Sequence, residues 1–515
     1  MQCKYRTEYF DREKSRFEEY RCPHNAVEDG YCIFHHPKYW EKHPEKVKEE
    51  FYKLIQKGET KFIGFNLPEI DLSKKIFKKT IYFNKAKFHN LADFRWATFN
   101  EAYFLDTTFN KEADFRWATF NEAYFWRATF NEAYFLDTTF SYLVSFRFAS
   151  FLAYALFDGA KFLGEVDFYR TKFCPVFSDI DSFVLFSFRG AWFKEQQRTV
   201  FDRVDMDWIS LLYVNLDRIV FRNIDWREIY DIRLFIMKYS RKELEKYLET
   251  RRKCLEKFLK EVMEEIEELE KKKSLSRYEE NRLKFLKKGK EKIEENIRKI
   301  DEYLKGKGIN LLMERILSEE DVTFENVLSV VRGLRENYDY YLNYEVAGRF
   351  FLQEMELRRR IPMLKIEKNL CEKMGKIRDE KVDSKIKRLW KKIKILRLKT
   401  LYILFYVKMA LTTSYLPLTL YKLISLYGES PGRACLSFLI FLIFFSTIYL
   451  ALFYNQLGSI FQCIWISFRA AFQYPVEMEL PYYNDIVLIQ RILSPILLAM
   501  LTLSLKRKYE RRIRH

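Results

Sequence analysis

Glycine is scarce in this chain: 15 in 515 residues, beside 11 prolines, eight cysteines and six histidines. So little glycine excludes a collagen-like repeat, and no phosphate-cradling loop of the Walker or dinucleotide type is present. Eight cysteines are too few for a disulfide framework and point to a reduced, cytosol-facing compartment. No nucleophile–base set stands out, so no enzymatic activity is expected. A secretory leader is not expected, because Met1 to Tyr20 is dense in charge. What is abundant is aromatic: 18% of the residues, with 48 Phe. That excludes disorder, and the length suits two to four domains.

From about 65 to 235 a bulky residue recurs every fifth position. Phe94, Phe99, Phe104 and Phe109 are followed by Phe115, Phe120, Phe125, Phe130, Phe135 and Phe140. Two places before most of them stands a small residue such as Ala92, Ala97, Ala102 or Thr107. The run ADFRWATFNEAYF occurs at both 92–104 and 113–125. A period of five fits neither a helix nor a strand. It requires a four-sided coil with one pentapeptide per side, the bulky residue on the axis and the small one inward at the corner. These units resemble the pentapeptide-repeat proteins, and the resemblance implies a right-handed quadrilateral β-helix. About eight coils at ~4.8 Å each give a rod of roughly 35–40 Å. Over residues 81–200, 14 acidic and 13 basic side chains nearly cancel, which argues against an acidic mimic of DNA.

Residues 236–308 carry a heptad pattern: Leu248, Leu255, Val262 and Leu269, then Leu286, Ile293 and Ile300. An antiparallel coiled-coil hairpin projecting from the body is expected, turning near Lys273–Arg277. A helical, increasingly basic linker follows over 309–400.

Residues 1–60 hold three of the eight cysteines and four of the six histidines. Cys3, Cys22, Cys32 and His35 form a set suited to structural zinc, with His36 or His24 as substitutes for the fourth ligand. So short a block has too small a core to be secure without a staple. The spacing lacks tightly paired cysteines, so free thiols beside incidental histidines remain the alternative. With 12 basic and 12 acidic residues, the block has no footprint for nucleic acid.

The last block, 401–515, reads as membrane. Residues 434–454 contain no charge over 21 positions, and 486–505 is broken only by Gln490 and Arg491. Twelve Lys and Arg in 373–399, and six in 506–515 against Glu510, place both flanks and both termini in the cytoplasm of a multi-pass cell-membrane protein. Residues 401–424 are expected as an interfacial helix, and 460–472 as a re-entrant segment too short to span. The whole is thus a multi-domain membrane protein: quadrilateral β-helix, α-helical coiled-coil hairpin and C-terminal two-helix transmembrane hairpin.

Here a further resemblance enters. Ala347 to Arg360 (AGRFFLQEMELRRR), Tyr427 to Arg433 (YGESPGR) and Leu505 to Lys508 resemble elements of pentapeptide-repeat proteins that end in a two-helix, potassium-channel-like domain. The resemblance implies an oligomer, a tetramer if channel-like. Where a potassium filter would stand, the sequence is Phe472-Gln473-Tyr474-Pro475-Val476-Glu477, and no glycine follows Gly458. A carbonyl cage needs glycine, so potassium selectivity is not expected. What remains is a non-selective or gated pore, or a non-conducting anchor for a scaffold binding proteins on its β-helix or coiled coil. Gln473, Tyr474, Glu477 and Glu479 are the candidates for a pore mouth, with exposed loop residues as the plain alternative. Pro495 is the candidate gate hinge, or simply a tolerated transmembrane proline.

Overall fold

A computed structural model describes residues 1–360 except 13, 184, 196–197, 227–228, 273–276 and 307; a few between 394 and 404; and 415–476 and 482–513. The chain divides into two compact units, Met1–Gly333 and Leu334–His515.

In the first unit the five-residue period becomes four axial columns of stacked rings. One runs Phe62, Phe83, Phe104, Phe125, Phe146, Phe168, Phe201 and Phe221, with successive centroids 4.7–5.5 Å apart. Others begin at Phe77, Phe88 and Phe94. Strands pair in parallel with those one coil away: Thr119 with Thr139, Thr108 with Thr129 and Thr139 with Lys161, so a coil takes 20 to 22 residues. Two ten-stranded parallel sheets result. The small residues lie inside as their size requires; Ala92, Ala97, Ala102 and Ala113 are fully buried. Where Thr replaces Ala, its hydroxyl donates to a carbonyl of an earlier coil: Thr107 to Phe83 at 2.8 Å and Thr138 to Phe115 at 2.7 Å.

The corners need a left-handed residue, yet between 74 and 170 glycine supplies it only at Gly159. Lys74, Lys85, Trp96, Asp106, Trp117, Arg127, Asp137, Phe148 and Arg170 all hold φ of 52–60°. Each such residue costs about 1–2 kcal/mol. Ladder bonds to the next coil hold them there, for example Lys74 N to Arg95 O at 2.8 Å and Lys85 N to Leu105 O at 2.7 Å.

The solenoid makes about seven turns, against the eight expected from length. The shortfall has a local cause. Phe157 stacks on Phe188 and Phe168 on Phe201, because residues 175–183 leave the coil before the next strand, Phe186–Ser187.

That excursion receives the helical hairpin, Arg241–Glu270 and Arg277–Leu304. Ser240 caps the first helix by accepting from Glu243 N at 3.4 Å. Leu248, Leu255, Val262, Leu269, Leu286, Ile293 and Ile300 are all buried. The hairpin does not simply project. Arg251, fully buried, donates to the carbonyls of Ile180, Ser178 and Asp179 and to Ser178 Oγ at 2.6–3.2 Å. Asn296 Nδ2 adds bonds to Val176 O and Ser178 O at 3.3 Å each. The far end of the solenoid is closed by the helix Tyr230–Met237, whose buried Asp231 accepts from Ser210 Oγ at 2.7 Å and Leu211 N at 2.8 Å. Burial pushes its carboxyl up to about 6.

The second unit holds the helix Tyr415–Ser425, which covers part of the expected 401–424 segment, and two long apolar helices, Pro431–Leu457 and Tyr483–Ile513, with a short one, Ile460–Ala471, between them. Both long helices are long and apolar enough to cross a membrane, over Pro431–Phe453 and Tyr483–Lys506. Most of the basic stretch 373–399 and the turn at 273–276 lie outside the described residues.

Candidate metal centre and the polar cluster of the apolar helices

The N-terminal ligands are gathered by two local devices. Strands Arg6–Asp11 and Arg16–Arg21 form an antiparallel hairpin whose open end brings Cys3 beside Cys22. Cys22 N bonds to Tyr5 O at 3.2 Å and Cys3 N to His24 O at 2.9 Å there. A turn after Cys32, with His35 N on Cys32 O at 3.1 Å, folds His35 back. All four residues are buried, and their ligand atoms lie within 4.8 Å of one another. Cys22 Sγ is 3.7 Å from Cys32 Sγ; His35 Nδ1 is 3.8 Å from Cys3 Sγ and 3.2 Å from Cys32 Sγ. Thiolate and imidazole ligands about 2.3 and 2.0 Å from a tetrahedral ion stand roughly 3.5–3.8 Å apart. The cluster therefore fits a metal such as zinc.

The surroundings fit too. His35 Nε2 is 2.9 Å from Ile63 O, which places its proton there and leaves Nδ1 as the ligand atom. Tyr5 stacks on the His35 ring at 3.9 Å. Gly64 (φ 72°) makes room, since a Cβ there would stand 2.1 Å from Tyr5 Oη. The electrostatics favour thiolate. The hydrogen bond from Cys22 takes Cys32 down to about 4 against its burial, with His35 assisting, and the Cys22 thiol is pushed up in return. Burial lowers His35, but its bonds to Cys3 and Cys32 outweigh that and raise it to about 9.

The substitute histidines go elsewhere. His36 Nδ1 accepts from Lys38 N at 3.3 Å, and Nε2 faces Glu28 and Asp29 at 3.6 and 3.5 Å. His24 lies against Phe34 and Phe65 at 5.3 and 5.9 Å. Next to the ligands, Phe34 stacks on Phe65 at 4.4 Å and Asn66 N bonds to Phe34 O at 2.7 Å. The cluster thus sits in the cap over the first coil.

In the second unit the short helix folds back along the first long one. Only Gly458 and Ser459 separate Ile460 from Leu457, while Phe472 reaches Phe438 at 5.8 Å. The chain then returns, so that Tyr483 lies 5.4 Å from Phe453. Buried polar groups tie the three helices together. Tyr449 Oη donates to Gln490 Oε1 at 2.9 Å, Gln490 Nε2 to Ser467 O at 2.8 Å, and Ser467 Oγ to Leu442 O at 2.9 Å. Gln473 is exposed, and its amide donates to Arg491 O at 2.9 Å and Ser494 Oγ at 3.3 Å. Its backbone takes φ of 64° to end the short helix, with Tyr474 N on Arg469 O at 2.8 Å and Gln473 N on Ala470 O at 3.2 Å. Tyr474 is exposed, and its carbonyl accepts from Arg491 Nη2. Pro495 is exposed within the second long helix. Glu477 and Glu479 lie outside the described residues.

Two models of pentapeptide repeats match the sequence, over residues 76–116 and 111–141. The chain is a pentapeptide-repeat protein. The solenoid extends past the matched stretch in both directions, from Asn66–Leu67 to Val220–Arg222. No curated protein and no solved structure matches this pentapeptide-repeat chain. Sequence reasoning missed Arg251, Asn296, Tyr449 and Ser467. Gln490 interrupts the apolar run 486–505, and that interruption is its signal in the sequence.

Proposed function

We propose that this pentapeptide-repeat protein is a membrane-anchored interaction scaffold, non-catalytic, with a structural zinc ion held by Cys3, Cys22, Cys32 and His35. The observation that carries the reading is the inverted packing of the apolar helices. Only 22% and 17% of their spanning windows are buried, and Leu436, Ile440, Ile443, Leu488 and Ile492 stand more than half exposed. The core helix of a water-soluble protein is buried instead. Exposed Trp96, Trp117, Trp126 and Trp192 on the solenoid supply the aromatic anchors that protein interfaces favour. The positive-inside rule puts both termini in the cytoplasm. The zinc ion would add a cross-link to the cap, which every solenoid needs at its ends.

Flotation of the full-length protein with lipid vesicles tests the anchor; failure to float in any lipid would sink it. Metal analysis tests the cap, and fewer than one zinc per chain would reject the staple. A second reading, an oligomeric non-selective pore, is favoured by one observation: the short helix folds back between the two long ones. Ion flux through vesicles carrying the protein decides between the two, and no flux for any ion leaves the scaffold.

A further inference from the structure

The two ends of the apolar pair differ in charge. Phe453 meets Tyr483, and Tyr449 meets Gln490 further along, so the long helices run antiparallel. The start of the first and the end of the second therefore share one side. On that side the second helix does not stop where its apolar stretch ends at Lys506; it continues to Ile513. Those last seven residues reach about 10 Å beyond the apolar stretch, while a headgroup layer is about 5–8 Å deep. They belong to a run of Lys506, Arg507, Lys508, Arg511, Arg512 and Arg514 against Glu510 alone. Lys506, Lys508 and Arg433, at the start of the first helix, are exposed, and so is Tyr509, a residue type that settles at headgroup level. At the opposite end of the second helix stands Asp485.

We infer that this end of the helical pair is a binding surface for anionic phospholipid headgroups, with Arg433, Lys506 and Lys508 as its described cations. The inference rests on the membrane reading. Juxtamembrane clusters of this size attract anionic lipid by about 1 kcal/mol per cation, roughly fivefold each. Lys506 and Lys508, two residues apart, lie on opposite faces of the helix, which suits several headgroups of a leaflet where a single folded pocket would not.

The test offers detergent-purified full-length protein phosphatidylglycerol and phosphatidylcholine of equal chain length and counts retained lipids by native mass spectrometry. Phosphatidylglycerol is expected to be preferred. The triple variant Arg433→Gln, Lys506→Gln, Lys508→Gln should lower that preference about fivefold per cation removed, and Glu510→Gln should raise it. Equal retention of the two lipids by the wild-type protein would overturn the inference, as would an unchanged preference in the triple variant. Flotation with pure phosphatidylcholine vesicles separates the two readings: a protein that floats without lipid preference loses only this inference, and one that never floats loses the anchor as well.

Discussion

Phe125 of the solenoid is sealed between Phe104 and Phe146, 5.0 Å from each, whereas Phe444 of the first apolar helix stands 58% exposed. The polar residues are reversed in the same way. Around the solenoid Arg127 and Asp106 pair at the surface at 2.9 Å, while Tyr449, Ser467 and Gln490 are fully buried among the apolar helices. One residue type thus serves opposite ends in one chain, and on the membrane-anchored reading proposed above the deciding variable is the medium each region packs against. Water drives rings to an axis, while a hydrocarbon surrounding would leave them outside and make hydrogen bonds the specific internal contact.

The sharpest way to break this contrast is to truncate a ring on each side. Phe125→Ala should destabilise the solenoid by about 3–5 kcal/mol in chemical denaturation, since the rings above and below cannot close the cavity. Phe444→Ala should change the stability of the detergent-solubilised protein by less than about 1 kcal/mol, and an equal loss at both sites would erase the distinction. Next comes the carboxyl buried at the end of the solenoid. Asp231 takes up a proton more readily folded than unfolded, so its contribution to stability is fully present below about 4 and is lost as pH rises through about 6. The loss amounts to about 3 kcal/mol, and Asp231→Asn should flatten that slope in melting curves taken across the range. For the apolar helices, Gln490→Leu leaves Tyr449 and Ser467 without their partner and should cost about 1–2 kcal/mol on unfolding in detergent. The smallest effect belongs to the corners: Lys74→Gly relieves a left-handed lysine and should raise the thermal midpoint by the equivalent of about 0.5–1 kcal/mol, less what glycine adds to unfolded-chain entropy.

Much of this was legible because repetition amplifies a weak signal. A single Phe–Ala spacing says nothing, but Phe94 to Phe140 repeats it until only a four-sided coil fits. The metal cluster was legible by residue type, though spacing alone could not choose among His24, His35 and His36; that choice was made by the turn after Cys32, a tertiary event. Arg251 was hidden because a lone arginine on a charged helix looks like every other surface cation, and its partners are carbonyls some 70 residues earlier. Gln473 was legible as a polar residue after the short apolar segment, but nothing local marked it as a left-handed helix end. Glycine is the ordinary residue there, and the Gln473 side-chain bonds go to Arg491 and Ser494, 18 and 21 places on.

The corners carry one more implication. The verbatim copies at 92–104 and 113–125 begin 21 residues apart, which is also the step from Thr108 to Thr129 in the parallel ladder. A copied stretch of gene therefore lands one storey up, Trp117 lying on Trp96 at 4.9 Å, with both caps untouched. Because the bends accept lysine, aspartate, arginine or tryptophan, no rare residue has to be supplied at each copy. The rod is a ruler that heredity can lengthen or shorten by whole marks, and the distance between its two ends is open to selection separately from whatever binds along it.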